Sequence, residues 1–190
     1  SRAMTNYVIL MRGINVGGKN KVPMAILKKC LEDIGLVNIT TYIASGNVIA
    51  QSDKSADSIK TEIEEMLPRC FKLDSELIKV LVLTHAQLKA VVDHKPKGFG
   101  EQPDKYYSDA IFLMGITSAE ALPVFDPREG VDVIWPGNGV VYSQRLGELR
   151  TKSRLSKAVS TPMYKSMTIR SWGTTIKLLE LLDNLKAATK

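Results

Sequence analysis

Cysteine and histidine are scarce in this chain of 190 residues, which has two of each. Cys30 and Cys70 fall on predicted helices and lack the spacing of metal ligands, so the sequence disfavours a zinc site. A chain of this length buries enough apolar surface without disulfide or metal staples. We expect both thiols to be core residues in a reducing compartment, which predicts a cytoplasmic protein. We also expect no metal and no other cofactor.

Long hydrophobic runs are missing as well. The apolar run Tyr7–Met11 is too short for a signal sequence or a membrane span, and no later run exceeds a buried strand. We therefore expect no membrane partner. Residues 1–3, which precede Met4, are interpreted as an expression scar and are left out of the fold prediction.

Aromatic residues make up only 6% of the chain, and acidic residues are rare in its C-terminal part. From residue 145 onward only Glu148, Glu180 and Asp183 are acidic. The basic residues of the same stretch are Arg145, Arg150, Lys152, Arg154, Lys157, Lys165, Arg170, Lys177, Lys186 and Lys190. This charge is consistent with an anionic partner and equally with an ordinary soluble surface. The few aromatics and the lack of an RNA-binding motif make nucleic acid the less favoured partner.

Hydrophobic periodicity and turn residues predict the order of helices and strands. The predicted elements of the first half are a strand at 7–11, a helix from Pro23 to Gly35, a hairpin with strands 39–44 and 48–51, a helix from Ser55, a strand at 77–83 and a short helix from Thr84. After a linker at 95–105 the order repeats. The predicted elements there are a strand at 108–114, a short helix at 117–124, a hairpin with strands 131–135 and 140–143, and a last helix from about Thr168.

The repeated order predicts an α+β fold of two ferredoxin-like (βαββα) modules with mainly antiparallel sheets and a C-terminal helical segment. The modules are expected to span residues 4–94 and 106–190. In the first module a right-handed crossover makes the first two strands parallel, with the third between them. The loop after the first strand, Arg12–Lys21, should then adjoin the hairpin turn Ser45–Asn47. The oligomeric state is not indicated by the sequence.

The glycine-rich segment Arg12–Lys21 partly matches a phosphate-binding P-loop. Gly13, Gly18 and Lys19 have the P-loop spacing after a strand. Asn20, however, stands where a Ser or Thr hydroxyl would bind magnesium, and Pro23 places the helix start too late. NTPase activity is therefore disfavoured, whereas a non-catalytic anion-binding loop and a plain turn both remain open.

The segment Thr168–Trp172 is predicted to open the last helix, with Thr168 as the N-cap and free N–H groups suited to an anion. Trp172 in this position is more often a core anchor than a stacking platform.

Three stretches of the sequence are distinctive: Tyr7–Gly18 with R-G-I-N-V-G-G, Thr41–Val48 with T-Y-I-x-S-G-N-V, and Thr168–Thr174. The three stretches resemble a bacterial family, the domain of unknown function 1697, whose T-x-R-N-W-x-T motif is matched by the last stretch with Ser171 in place of the Asn. The resemblance implies two ferredoxin-like halves and no established activity. It also implies that the family's signature positions are occupied here by Arg12, Asn15, Gly17, Gly18, Ser45, Gly46, Asn47, Arg170 and Trp172.

The favoured hypothesis is a protein that binds a small phosphate-bearing or otherwise anionic ligand. The predicted ligand-binding residues are those nine signature residues together with Lys19. The alternatives are an enzyme acting on a small anionic substrate, with no catalytic residue identified, and a nucleic-acid-binding or purely structural interaction module.

Overall fold

The structure is a computed structural model that describes residues 3–75 and 78–185. Residues 1 and 2 of the predicted scar, Leu77 at the predicted start of a strand, and positions 186–190 of the predicted second module lie outside the described residues. The chain forms two compact units: unit 1 holds the residues up to 88 and those from 178 onward, and unit 2 holds residues 89–177. The module bounds 4–94 and 106–190 stay a prediction.

Unit 1 is built on a four-stranded antiparallel sheet. Its elements are β1 (Thr5–Met11), α1 (Met24–Asp33), β2 (Val37–Tyr42), β3 (Asn47–Ser52), α2 (Ala56–Cys70) and β4 (Val80–Thr84), followed by α3 (His85–Asp93), in which the chain passes to unit 2. The strand order is β2-β3-β1-β4. β3 is antiparallel to both β1 and β2, so β1 and β2 run parallel on its two sides, as the crossover argument predicts.

The predicted caps position the helices of unit 1. The Ser55 hydroxyl accepts the Ser58 N–H at the start of α2. Thr84 and Gln87 exchange the two hydrogen bonds of a capping box at the start of α3. Such caps satisfy N–H groups that have no partner inside the helix. The core of the unit lies between the sheet and its helices, with Leu27, Leu31, Ile59, Ile63 and Leu67 among the fully buried side chains.

The two cysteines differ in burial. Cys30 on α1 is buried as expected, and burial, followed by a hydrogen bond with Cys70, raises the pKa of its thiol to about 11. The expectation that Cys70 is a core thiol is wrong, because Cys70 is exposed at the last residue of α2.

Unit 2 contains a second sheet of the same order. Its elements are β5 (Tyr106–Leu113), α4 (Ser118–Ala121), β6 (Asp132–Pro136), β7 (Val140–Leu146), α5 (Leu155–Val159), β8 (Met167–Ser171) and α6 (Trp172–Asn184), whose residues from 178 onward belong to unit 1. The sheet order is β6-β7-β5-β8, and every pairing is antiparallel. The predicted fold class, α+β with two mainly antiparallel sheets and a C-terminal helical segment, is confirmed.

The prediction that Thr168 caps the last helix is wrong. Thr168 and Ile169 lie in β8, opposite Phe112 and Ile111 of β5. The helix begins at Trp172, and the Ser171 hydroxyl accepts the Thr174 N–H in the manner of an N-cap. Thr168 and Ile169 are β-branched, and such residues pack well in a strand. Their pairing with β5 favours a strand over the start of a helix at this position. The second sheet thereby gains its fourth strand.

Across residues 3–75 and 78–185, no helix combines the length and the apolar character needed to cross a lipid bilayer.

Candidate functional site

The glycine-rich segment after β1 folds back on itself as a tight hairpin. Val16 and Lys19 form an antiparallel bridge, with the Lys19 N–H donating to the Val16 carbonyl at 3.0 Å. Gly17 and Gly18 both have positive φ, +58° and +75°, as the central residues of a type I′ turn do. In a P-loop the glycines lead directly into a helix. Here the chain reverses instead, and α1 begins only at Met24.

Asn15 holds the base of this hairpin. Its side-chain Nδ2 donates to the carbonyls of Val22 at 3.0 Å and Ala44 at 2.7 Å, while its Oδ1 accepts the Val22 N–H at 2.7 Å. The residue has φ +53°, which asparagine tolerates better than most side chains. The amide is therefore committed to backbone partners, and it joins the glycine-rich hairpin to the turn after β2.

Asn20 joins the other side of the hairpin to the segment after α2 through hydrogen bonds, a role that the sequence pattern did not predict. Its Oδ1 accepts the backbone N–H groups of Asp74 at 2.8 Å and Ser75 at 3.1 Å. Its own backbone N–H donates to Asp74 Oδ2 at 2.7 Å, and its Nδ2 donates to the Gly13 carbonyl at 2.9 Å. An asparagine two residues after the Gly17-Gly18 turn was the available signal, since asparagine favours the left-handed backbone (φ +50°) found here.

The turn between β2 and β3 contacts the hairpin. The Met11 N–H donates to the Gly46 carbonyl at 2.9 Å. Gly46 has φ +91°, and a Cβ atom there would lie 3.0 Å from both Ile14 Cδ1 and Met11 Cβ. Asn47 is fully buried, and its Nδ2 donates to the Tyr42 carbonyl and to Ser45 Oγ. The predicted meeting of the two segments is confirmed. We call the face formed by Arg12–Lys21 and Ser45–Asn47 the loop–turn surface.

The exposed part of the loop–turn surface carries positive charge and main-chain donors. Lys19 and Lys21 are exposed and Arg12 is half-buried. Within the described residues, no hydrogen bond is recorded from the N–H groups of Gly17 and Gly18 at the tip. Cationic side chains beside outward-facing backbone N–H groups are the chemistry that binds oxyanions.

Arg170 and Trp172 lie in unit 2, outside the loop–turn surface. Arg170 is 7% exposed and donates to Thr168 Oγ1 at 2.8 Å and to the Ile169 carbonyl at 3.0 Å. Burial lowers the pKa of its guanidinium to about 10. The assignment of a ligand-binding role to Arg170 stays a prediction.

Trp172 packs inside an aromatic cluster. Its ring lies edge-to-face on Phe99 at 4.9 Å and on Tyr142 at 6.1 Å between centroids. Gly100 packs so closely against the indole that a Cβ there would lie 2.5 Å from Trp172 Cδ1. This is the environment of a core anchor. A ligand-binding role for Trp172 also stays a prediction.

Part of the basic C-terminal stretch is paired with acidic residues. Arg154 and Lys157 both contact the carboxylate of Asp126, at 3.1 Å and 2.9 Å. The hydrogen bond from Lys157, and then the charge of Arg154, lower the pKa of Asp126. Exposed pairs of this kind contribute little to stability, but they reduce the charge offered to a nucleic acid.

Comparison with known proteins agrees with the fold. A solved structure, the conserved bacterial protein SP0830 from Streptococcus pneumoniae, is similar with a TM-score of 0.79 and 27% sequence identity. The similarity covers 95% of this chain and 99% of that one. No curated protein matches the sequence. The family described as "Protein of unknown function (DUF1697)" matches residues 4–142. That match includes both segments of the loop–turn surface and most of the chain, and the protein therefore belongs to the DUF1697 family.

Proposed function

We propose that this protein binds a small phosphate-bearing or otherwise anionic ligand at the loop–turn surface. The observation that carries the proposal is the 2.7 Å hydrogen bond from Asn15 Nδ2 to the Ala44 carbonyl. It joins the two most distinctive segments of the sequence, which lie 29 residues apart at that bond, and holds a cationic glycine tip in a fixed position. A fixed frame lowers the entropic cost of ordering a ligand.

The residues of this surface have two different tasks. Asn15, Gly46 and Asn47 maintain the frame, since their polar groups or close packing are used within the protein. Lys19 and Arg12 supply charge, and the N–H groups of the Gly17-Gly18 tip supply directional hydrogen bonds to an oxyanion. Ser45 Oγ accepts a hydrogen bond from Asn47 Nδ2, which places the serine beside this frame.

Thermal-shift measurements with inorganic pyrophosphate and ribose 5-phosphate test this assignment. A ligand that binds the folded state alone raises Tm. We expect both probes to raise the Tm of the wild-type protein. Lys19→Ala should keep nearly the wild-type Tm without ligand and lose the ligand-induced shift.

Lys28→Ala is the matched control, because Lys28 is an exposed lysine on α1 and its removal changes the net charge equally. The Lys28 variant should retain the shift. Equal shifts in the Lys19 and Lys28 variants would show that the probes sense only the overall charge, and the assignment would then be wrong. Unfolding of the Lys19 variant would contradict it as well, since the lysine would then be a structural residue.

A further inference from the structure

Unit 2 contains a cavity of about 620 Å³ at the end of its sheet where β5 begins and β7 ends. It is lined by Pro103–Tyr107 and by Leu146, Gly147, Glu148 and Arg150. This volume is typical of small-molecule sites in proteins. No residue of the loop–turn surface belongs to the lining, so an inference about this cavity stands apart from the function proposed above.

An exposed aromatic ring forms one wall. Tyr107 is 46% exposed, although it lies in a strand at the centre of the sheet. The guanidinium of Arg145, directly opposite in the β5–β7 register, lies 5.3 Å from the ring centroid, and that of Arg150 lies 5.9 Å from it. Guanidinium groups hold such a ring in position and concentrate positive charge beside it.

Two cationic side chains of the lining, Lys105 and Arg150, are available to a ligand. Within the described residues, no ion pair is recorded for Lys105 or Arg150, in contrast to Arg154 and Lys157 with their shared Asp126. Arg150 is exposed and donates to the Gly147 carbonyl at 3.2 Å. Lys105 is also exposed, with its ammonium 5.3 Å from the Tyr106 ring. Both can therefore turn toward an anion without breaking a salt bridge.

Carboxylates complete the lining. Asp104 and Glu148 border the same cavity and are exposed. An ionised carboxylate only accepts hydrogen bonds, so these groups can accept from the hydroxyl donors of a ligand. A ring face, two cations with no ion pair recorded among the described residues, and acceptors for hydroxyl groups match the base, the phosphate and the ribose of a nucleotide.

We propose that this cavity binds a nucleoside monophosphate, with the base on Tyr107, the phosphate on Lys105 and Arg150, and the ribose hydroxyls on Asp104 or Glu148. A single nucleotide fits better than a nucleic acid strand. Strand-binding proteins present successive aromatic platforms, whereas Tyr107 is the one aromatic among the large exposed apolar residues of the described chain.

Isothermal titration of the full chain with adenosine 5′-monophosphate at low salt tests the proposal. We expect saturable binding with one site per chain, weakened at least about tenfold by Arg150→Ala and by Tyr107→Ala, which remove a charged contact and the stacking surface. Tyr107→Phe keeps the ring and should bind as the wild type does. Adenosine alone and inorganic phosphate alone should each bind at least about tenfold more weakly than the nucleotide.

The controls separate this cavity from other sites. Arg69→Ala removes an exposed arginine of unit 1 and should leave binding unchanged. If the nucleotide gives no saturable heat, or if the Arg150 and Tyr107 variants bind it like the wild type, the proposal is overturned. Loss of binding in Lys19→Ala with retention in Arg150→Ala would assign the nucleotide to the loop–turn surface instead. If an oligothymidylate binds more tightly than the mononucleotide, with several of its nucleotides bound per protein chain, the proposal is overturned and the ligand is a nucleic-acid strand.

Discussion

At the residue scale, a few polar side chains with backbone partners determine the shape of the loop–turn surface. Asn15 alone makes three hydrogen bonds to the main chain of two segments. Each hydrogen bond contributes only about 1 kcal/mol net, but a buried partner left without one costs more. The position of Asn15 in the signature is thus explained by its structural hydrogen bonds, and the proposed ligand contacts are assigned to its charged and glycine neighbours.

Asn15→Ala should lower the free energy of unfolding by about 2–3 kcal/mol, because three hydrogen bonds and a tolerated left-handed backbone are lost together. Asn15→Gly loses the same bonds but adopts φ +53° freely, so it should be about 1 kcal/mol more stable than the alanine variant. Urea denaturation measures both. An alanine variant as stable as the wild type would refute the structural role.

Asp109 on β5 gives a pH-dependent prediction. Its side chain is 15% exposed, and burial raises the pKa of the carboxyl, an effect that the charge of Arg145 at 4.0 Å partly opposes. Stability from an acid with a raised folded-state pKa is present below the unfolded pKa of about 4 and is lost as the pH rises through the folded value. Asp109→Asn does not undergo this loss.

The Tm of Asp109→Asn minus that of the wild type should therefore increase from pH 4 to pH 7. Thermal melts of both proteins across this range measure the difference. A constant difference, or one that decreases with pH, would show that the attraction of Arg145 outweighs burial.

At the element scale, the close packing of the turn between β2 and β3 favours glycine at position 46. The residue combines φ +91° with two side-chain atoms that would lie only 3.0 Å from an added Cβ atom. Gly13 offers a comparison within the same surface, since it has φ +77° but no atom within 4 Å of such a Cβ. Alanine substitution at Gly13 measures the cost of backbone strain alone, whereas substitution at Gly46 adds the cost of a steric clash.

Gly13→Ala should destabilise the protein by about 1 kcal/mol through backbone strain alone. Gly46→Ala should cost at least about 1 kcal/mol more, because it also displaces Ile14 and Met11 from a packed core. Chemical denaturation of the pair tests this, and equal losses of stability would mean that the turn yields to the added methyl group.

At the scale of the whole molecule, the parts of the fold that depend on nearby residues were predictable from the sequence. The Ser55 and Thr84 caps and the β2–β3 hairpin arise from signals a few residues apart. β8 was missed because its pairing partner β5 lies far away in the chain, and Thr168-Ile169 is compatible locally with a helix start. The Asn20 contacts with Asp74 and Ser75 were missed for the same reason, since 54 and 55 residues separate the partners.

The location of the candidate site was predictable from the sequence, whereas the location of the cavity in unit 2 was not. Topology predicted that the loop and the turn meet, because the crossover rule fixes which strand ends share an edge. The cavity beside Tyr107 was not predicted, since its walls come from residues about 40 positions apart that no short motif connects. In the sequence, Arg145 and Arg150 stand out only as members of a basic stretch.

The central claim, an anion site at the glycine tip of the loop–turn surface, is tested most directly by NMR on protein labelled with ¹⁵N-glycine. The chain has 13 glycines, so the spectrum is simple. During titration with inorganic pyrophosphate, we predict saturable shifts of the Gly17 and Gly18 amide signals that vanish in Lys19→Ala, with Gly115 and Gly130 unchanged. Absence of saturable shifts at Gly17 and Gly18, or shifts that persist in the Lys19 variant, would contradict the claim.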